Sequence, residues 1–116
     1  MKNEPSGITL QAIVEQAHKT SVEHGWWSSN EDTVPAKLLL IHSEVSEAVE
    51  EYRNTDLYRY DHQKSSKPMG FVVELADIII RVADLAGQLG LDLTEAMLAK
   101  LAYNKTRPVR HGGKHI

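Results

Sequence analysis

The chain has no cysteine among its 116 residues, and that absence removes whole classes of chemistry. It excludes a disulfide framework, a thiolate nucleophile and any cysteine-ligated zinc or iron-sulfur site. Long hydrophobic runs are missing as well. The purely apolar stretches are only a few residues, far short of the roughly 20 needed to span a bilayer, and the start, "MKNEPSGITL", has no apolar core of signal-peptide length. A soluble, cytoplasmic protein without a membrane partner is expected. Strand alternation, hairpin signals, internal repeats and low-complexity tracts are also lacking. Acidic residues are absent from one end: Lys100 to Ile116 holds five Lys or Arg and no Asp or Glu.

The formal net charge of -3 therefore divides unevenly, since the first 99 residues hold eight basic and sixteen acidic side chains, a balance of -8. Clustered Lys and Arg neutralise phosphates, but an acidic body repels a long polyanion. A small phosphorylated ligand is expected, rather than a long nucleic acid. By length the chain is one domain, 1–116 with a basic tail over 106–116, and it is long enough to bury a core without staples.

Apolar residues fall at helical spacing. Leu10, Ile13, Val14, Ala17 and Val22 predict a first helix from about Thr9 to His24, stopped by Gly25. After the loop "WWSSNEDTVP", the stripe Leu38, Ile41, Val45, Ala48, Val49 and Tyr52 predicts a second helix from about Pro35 to Tyr52. The polar stretch "RNTDLYRYDHQKSSKPMG" reads as a long loop, a candidate lid carrying Tyr58 and Tyr60. A third helix follows from about Gly70 to Leu89, ended by Gly90, and a fourth from about Leu93 to Lys105, with Asp92 and Glu95 spaced as a capping box. The fold class is all-α, a four-helix bundle.

The third helix is apolar around most of its cylinder, and its exceptions Glu74, Asp77, Arg81, Asp84 and Gln88 share a stripe roughly 80° wide. So much apolar girth on a short helix predicts a subunit interface as well as a core, hence homo-oligomerisation. The bland account of the stripe is a solvated face on which Arg81 satisfies Asp77 and Asp84. On the second helix, Leu40, Glu44, Glu47 and Glu51 line a strip beside the apolar face, where a packed partner would sit. Two such helices about 8 to 10 Å apart can aim Glu44, Glu47, Glu74 and Asp77 into one cleft. Clustered carboxylates need a compensating cation, and an all-oxygen site selects a hard ion, Mg²⁺ with Mn²⁺ as a substitute. Di-iron bundles are disfavoured, because they need Glu-x-x-His motifs at the site, and here the partners are Glu and Asp.

"SEVSEAVEEY", followed by "GFVVELADIIIRVADLAGQLGLDL" and "KLAYNKTRPVRHGGK", resembles the MazG-like branch of the all-α nucleoside triphosphate pyrophosphohydrolase superfamily. The resemblance covers most of the chain and centres on Glu-x-x-Glu and Glu-x-x-Asp in adjacent helices. It implies a MazG-like bundle completed in a homodimer or homotetramer. It also implies Mg²⁺-dependent cleavage of (deoxy)nucleoside triphosphates to monophosphate and pyrophosphate, with Glu44, Glu47, Glu74 and Asp77 as catalytic metal ligands. A house-cleaning role in the nucleotide pool would follow. The fuller family pattern often begins with two adjacent acids, where this chain has Ser43 before Glu44.

Phosphate-binding candidates are Lys100, Asn104 and Arg107, at steps of four and three, with Lys105 and Arg110 nearby. Their bland role is to complement the helix dipole at a frayed end. For the base, Trp26 and Trp27 are candidates for stacking and His18 or His24 for hydrogen bonding, with core packing the competing role for at least one tryptophan. Glu51 and Asp84 read either as supports of the site or as surface charge. Two other accounts stand beside the enzyme: a non-catalytic nucleotide- or metal-sensing module of the same fold, and a helical protein whose acidic stripe docks a basic partner.

Overall fold

The computed structural model describes residues 7–61 and 66–109. Four helices account for most of it: α1 (Leu10–Glu23), α2 (Val34–Arg53), α3 (Phe71–Leu89) and α4 (Leu93–Lys105). Their starts are chemical. Thr9 and Thr33 each place a hydroxyl on the amide three residues on, and the Asp92 carboxylate accepts from the Glu95 amide at 2.9 Å. Each cap satisfies a donor that the first helical turn leaves unpaired. Pro35 sits in the first turn of α2, where no amide is missed. At the far end of α3, Gly90 adopts the left-handed conformation with φ 66° and ends the helix.

The expected loop after α2 contains more order than its sequence indicated. Two three-residue strands, β1 (Arg59–Asp61) and β2 (Lys67–Met69), pair antiparallel with Tyr60 opposite Pro68. Strands this short, one of them carrying a proline, leave no alternation to read. The base of the hairpin is sewn to the start of α3 by two backbone bonds, from the Phe71 amide to the Asp56 carbonyl at 2.7 Å and from the Val72 amide to the Leu57 carbonyl at 3.1 Å. Gly70 makes this closure possible. Its φ is 114°, and a Cβ there would lie 2.7 Å from the Leu57 backbone, so an L side chain is excluded on both counts.

Helix α3 is central, packed along both α1 and α2, while α4 rests on α1. The contacts are made by small residues: Val14, Ala48, Ala83 and Ala86 are the buried apolar residues among those described. Many larger apolar side chains stay outside. Leu38, Leu39, Val45, Val49 and Tyr52 of α2 are exposed, as are Val72, Leu75, Ile79 and Ile80 of α3 and Leu98 and Leu101 of α4. The sequence predicted α3 to be covered nearly all round except along its charged stripe. In the single chain its apolar flank is bare, and Glu74, Asp77, Arg81 and Asp84 are part-buried or buried. The radius of gyration, 16.9 Å, exceeds the roughly 13 Å of a compact domain of this length. No described helix is long and apolar enough to cross a membrane.

Candidate metal centre

The packing of α2 on α3 brings Glu44, Glu74 and Asp77 together, with one carboxylate oxygen from each lying within 4.8 Å of the others. Glu44 is only 8% exposed. Three acids so close repel one another, and the ionisation of Glu74 and Asp77 shows it. Burial first, then the Glu44 carboxyl that a protonated Glu74 can hydrogen-bond, and then the charges of Asp77 and Glu47 push Glu74 up to about 7. Asp77 is also raised, by burial and by Glu44, while Arg81 and Lys67 pull it the other way. Desolvation and like charge are acting in the same direction here.

One atom singles out the cluster. Glu74 Oε2 is buried and has no hydrogen-bond partner, which is costly unless something electropositive meets it. The donor set is all carboxylate, so the residues fit a hard divalent cation held by Glu44, Glu74 and Asp77.

The fourth expected ligand, Glu47, is placed differently. It is exposed and lies one turn beyond Glu44, in a groove of about 440 Å³ lined also by Ser43, Ser46, Glu50, Glu51 and Glu74. It is near enough to raise Glu74, yet it falls outside the three-carboxylate group. It therefore stands at the mouth.

Arg81 corrects the solvated-face account of the α3 stripe. Its Nε donates to Glu44 Oε1 at 3.0 Å, across to α2, instead of satisfying Asp77 and Asp84 along its own helix. Asp84 is likewise no surface charge. It is 7% exposed and accepts from the Ser21 hydroxyl at 2.8 Å and the Trp27 indole at 3.0 and 3.1 Å, and its Oδ1 lies 2.9 Å from His18 Nδ1. The indole N–H of Trp27 and the Nδ1 of His18, two base-binding candidates, are thus committed to tying α1 and the following loop onto α3. His18 comes close because residue 87 is glycine: a Cβ there would be 2.7 Å from the His18 Cβ. His24 turns its Nδ1 to the Thr20 carbonyl of its own helix at 2.8 Å.

Trp26 remains open. It is 46% exposed, borders an apolar hollow of about 320 Å³ with Ile13, Ala17, Thr20 and Ile80, and has the Arg81 guanidinium 6.0 Å from its ring centre. The cations expected from the chain's end lie elsewhere. Lys100 and Arg107 flank the Tyr103 ring at 4.9 and 5.8 Å, Asn104 and Lys105 are exposed at the end of α4, and Arg110 falls outside the described residues. Among the described residues, the cations acting on Asp77 are Arg81 and Lys67. Lys67 had no expected role, since it sits in a polar stretch without periodicity. Ser21 was missed too, although its place seven residues beyond Val14 put a hydroxyl on the buried face of α1.

No protein-family model matches the chain, and no solved structure matches it. A stretch of 35 residues, 30% of the chain, is 54% identical to part of a dATP/dGTP diphosphohydrolase of cyanophage S-2L. The match spans about a third of that protein's length, 33%.

Proposed function

We propose that the protein is a MazG-like, Mg²⁺-dependent nucleoside triphosphate pyrophosphohydrolase that converts (d)NTP to (d)NMP and pyrophosphate. The observation that carries this reading is the buried, unpartnered Glu74 Oε2 inside a cluster of three carboxylates. The partial likeness to a dATP/dGTP diphosphohydrolase supports it and makes purine deoxynucleotides the first substrates to try.

Mg²⁺, with Mn²⁺ as its substitute, would polarise phosphoryl oxygens and acidify the attacking water. The chain's own residues do the rest. Glu44, Glu74 and Asp77 would hold the cation, whose charge offsets the burial and the like-charge repulsion that raise Glu74, so that binding displaces the Glu74 proton. Glu47, exposed at the mouth, completes the ligand set or accepts the proton of the water. Trp26 offers its face to the base beside an apolar hollow.

Two features support a homodimer or homotetramer. The exposed leucines and valines of α2 and α3 form the kind of apolar surface that a second copy covers. Lys100, Asn104 and Lys105 stand on α4 and Arg107 just beyond its end, and among the described elements α4 packs chiefly on α1 rather than on α2, so a neighbouring copy is the natural recipient of their charge. Removal of modified or surplus nucleoside triphosphates in the cytoplasm is the role that follows.

The test is pyrophosphate release from dATP, dGTP and a wider panel of nucleoside triphosphates, with Mg²⁺ and with EDTA. Release that needs the metal supports the enzyme. Metal-dependent thermal stabilisation without release of pyrophosphate would leave the sensing module in its place.

A further inference from the structure

Arg81 is the one cation in hydrogen-bond contact with the three-carboxylate group among the described residues. Its guanidinium uses only Nε on Glu44, and its two terminal NH₂ groups make no hydrogen bond among the described residues. A guanidinium presents five donors in a rigid fork suited to phosphate oxygens. This one is a third exposed, and it lies between the carboxylates and the face of Trp26. A nucleotide with its base at Trp26 and its phosphates at the cation must pass this side chain.

We propose that Arg81 has two successive partners: Glu44 in the metal-free protein, and the α-phosphate of the nucleotide once Glu44 is engaged by a divalent cation. The inference rests on the pyrophosphohydrolase reading and adds a phosphate-binding residue that lies within the chain's own α3. The same guanidinium cannot serve Glu44 and a phosphate with equal strength while Glu44 faces a dication. Its release costs little, because the charge it neutralised is then neutralised by the metal. Arg81 therefore competes with metal and cooperates with nucleotide.

Those two roles carry opposite signs, and calorimetry separates them. Arg81→Gln and the wild type are titrated with Mn²⁺ alone. A non-hydrolysable α,β-imido dATP and deoxyadenosine are then added in the presence of Mn²⁺. The variant is expected to bind Mn²⁺ several-fold more tightly and the imido nucleotide about tenfold or more weakly, with deoxyadenosine affinity unchanged because it has no phosphate. Equal or weaker Mn²⁺ binding by the variant would overturn the competition with metal, and an unaltered imido-nucleotide affinity would overturn the phosphate contact. Either result leaves the pyrophosphohydrolase reading standing if the wild type binds Mn²⁺ and releases pyrophosphate. A wild type that binds no Mn²⁺ takes both down. Should the glutamine variant fail to fold by circular dichroism, Arg81→Lys decides: a single ammonium keeps the charge but not the fork, so imido-nucleotide affinity falls several-fold while Mn²⁺ affinity stays near wild type. Undiminished imido-nucleotide binding by Arg81→Lys overturns the proposal.

Discussion

Glu74 and Asp84 lie ten residues apart on one helix and face opposite electrostatic problems. Asp84 is fully served, with donors from Ser21 and Trp27 and with His18 beside it. Replacing it with Asn turns one acceptor into an NH₂ that faces those donors. Asp84→Asn is expected to cost about 2 to 4 kcal/mol and to lower the thermal midpoint by roughly 10 °C, read by circular dichroism in EDTA so that metal plays no part. Glu74 is underserved. Its folded pKa of about 7 stands above the ordinary 4.5, so the folded state holds a proton that the unfolded chain has lost between those values. The stability this group contributes is present below pH 4.5, declines as pH rises toward 7, and then levels off. A melting series in EDTA from pH 5 to 8 checks that decline, and the stabilisation by added Mg²⁺ is expected to grow over the same interval, because the ligand must be deprotonated. At Asp77, the Asn substitution removes one repelling charge and one ligand. Metal-free Asp77→Asn is expected to melt no lower than wild type, while the roughly 2.7 kcal/mol that a metal at a hundred times its Kd supplies disappears and turnover falls at least about 100-fold. Glu47→Gln should lower turnover as well but keep much of the metal-induced shift, since Glu47 lies outside the three-carboxylate group.

The helices were readable because their boundaries are written in local chemistry. Thr9, Thr33 and Asp92 are side-chain caps, and Gly90 is a stop, so each of these signals acts within a few residues. Spacing and the apolar faces of α2 and α3 brought four carboxylates toward one cleft, and three of them, Glu44, Glu74 and Asp77, meet there while Glu47 stays outside the group. What could not be read was long-range. Arg81 chose Glu44, 37 positions away, over its own neighbours Asp77 and Asp84, and no periodicity encodes that preference. The hairpin was equally hidden, since its pairing depends on Gly70 passing within van der Waals reach of Leu57. Gly70→Ala is therefore the test at this level. Loss of the closure between Asp56 and Phe71 is expected to expose β1 and β2 to proteolysis while the far-ultraviolet helical signal is retained.

For the whole molecule, the telling quantity is how little of the large apolar surface is covered. Leu39 is 71% exposed and Leu98 63%, whereas the buried apolar residues among those described are three alanines and a valine. Association is expected to show as a dimer or tetramer by sedimentation, and Leu39→Lys on the α2 surface is expected to shift the protein toward monomer and lower its thermal midpoint. The small-residue core has a further consequence for how the protein comes into being. A newly made chain can zip its helices together quickly along alanine contacts, but if a second copy covers the apolar flank, as proposed, most of the burial that drives folding waits for that encounter. Refolding should then show a fast phase indifferent to protein concentration and a slower one whose rate rises with it, and yield on refolding should fall on dilution.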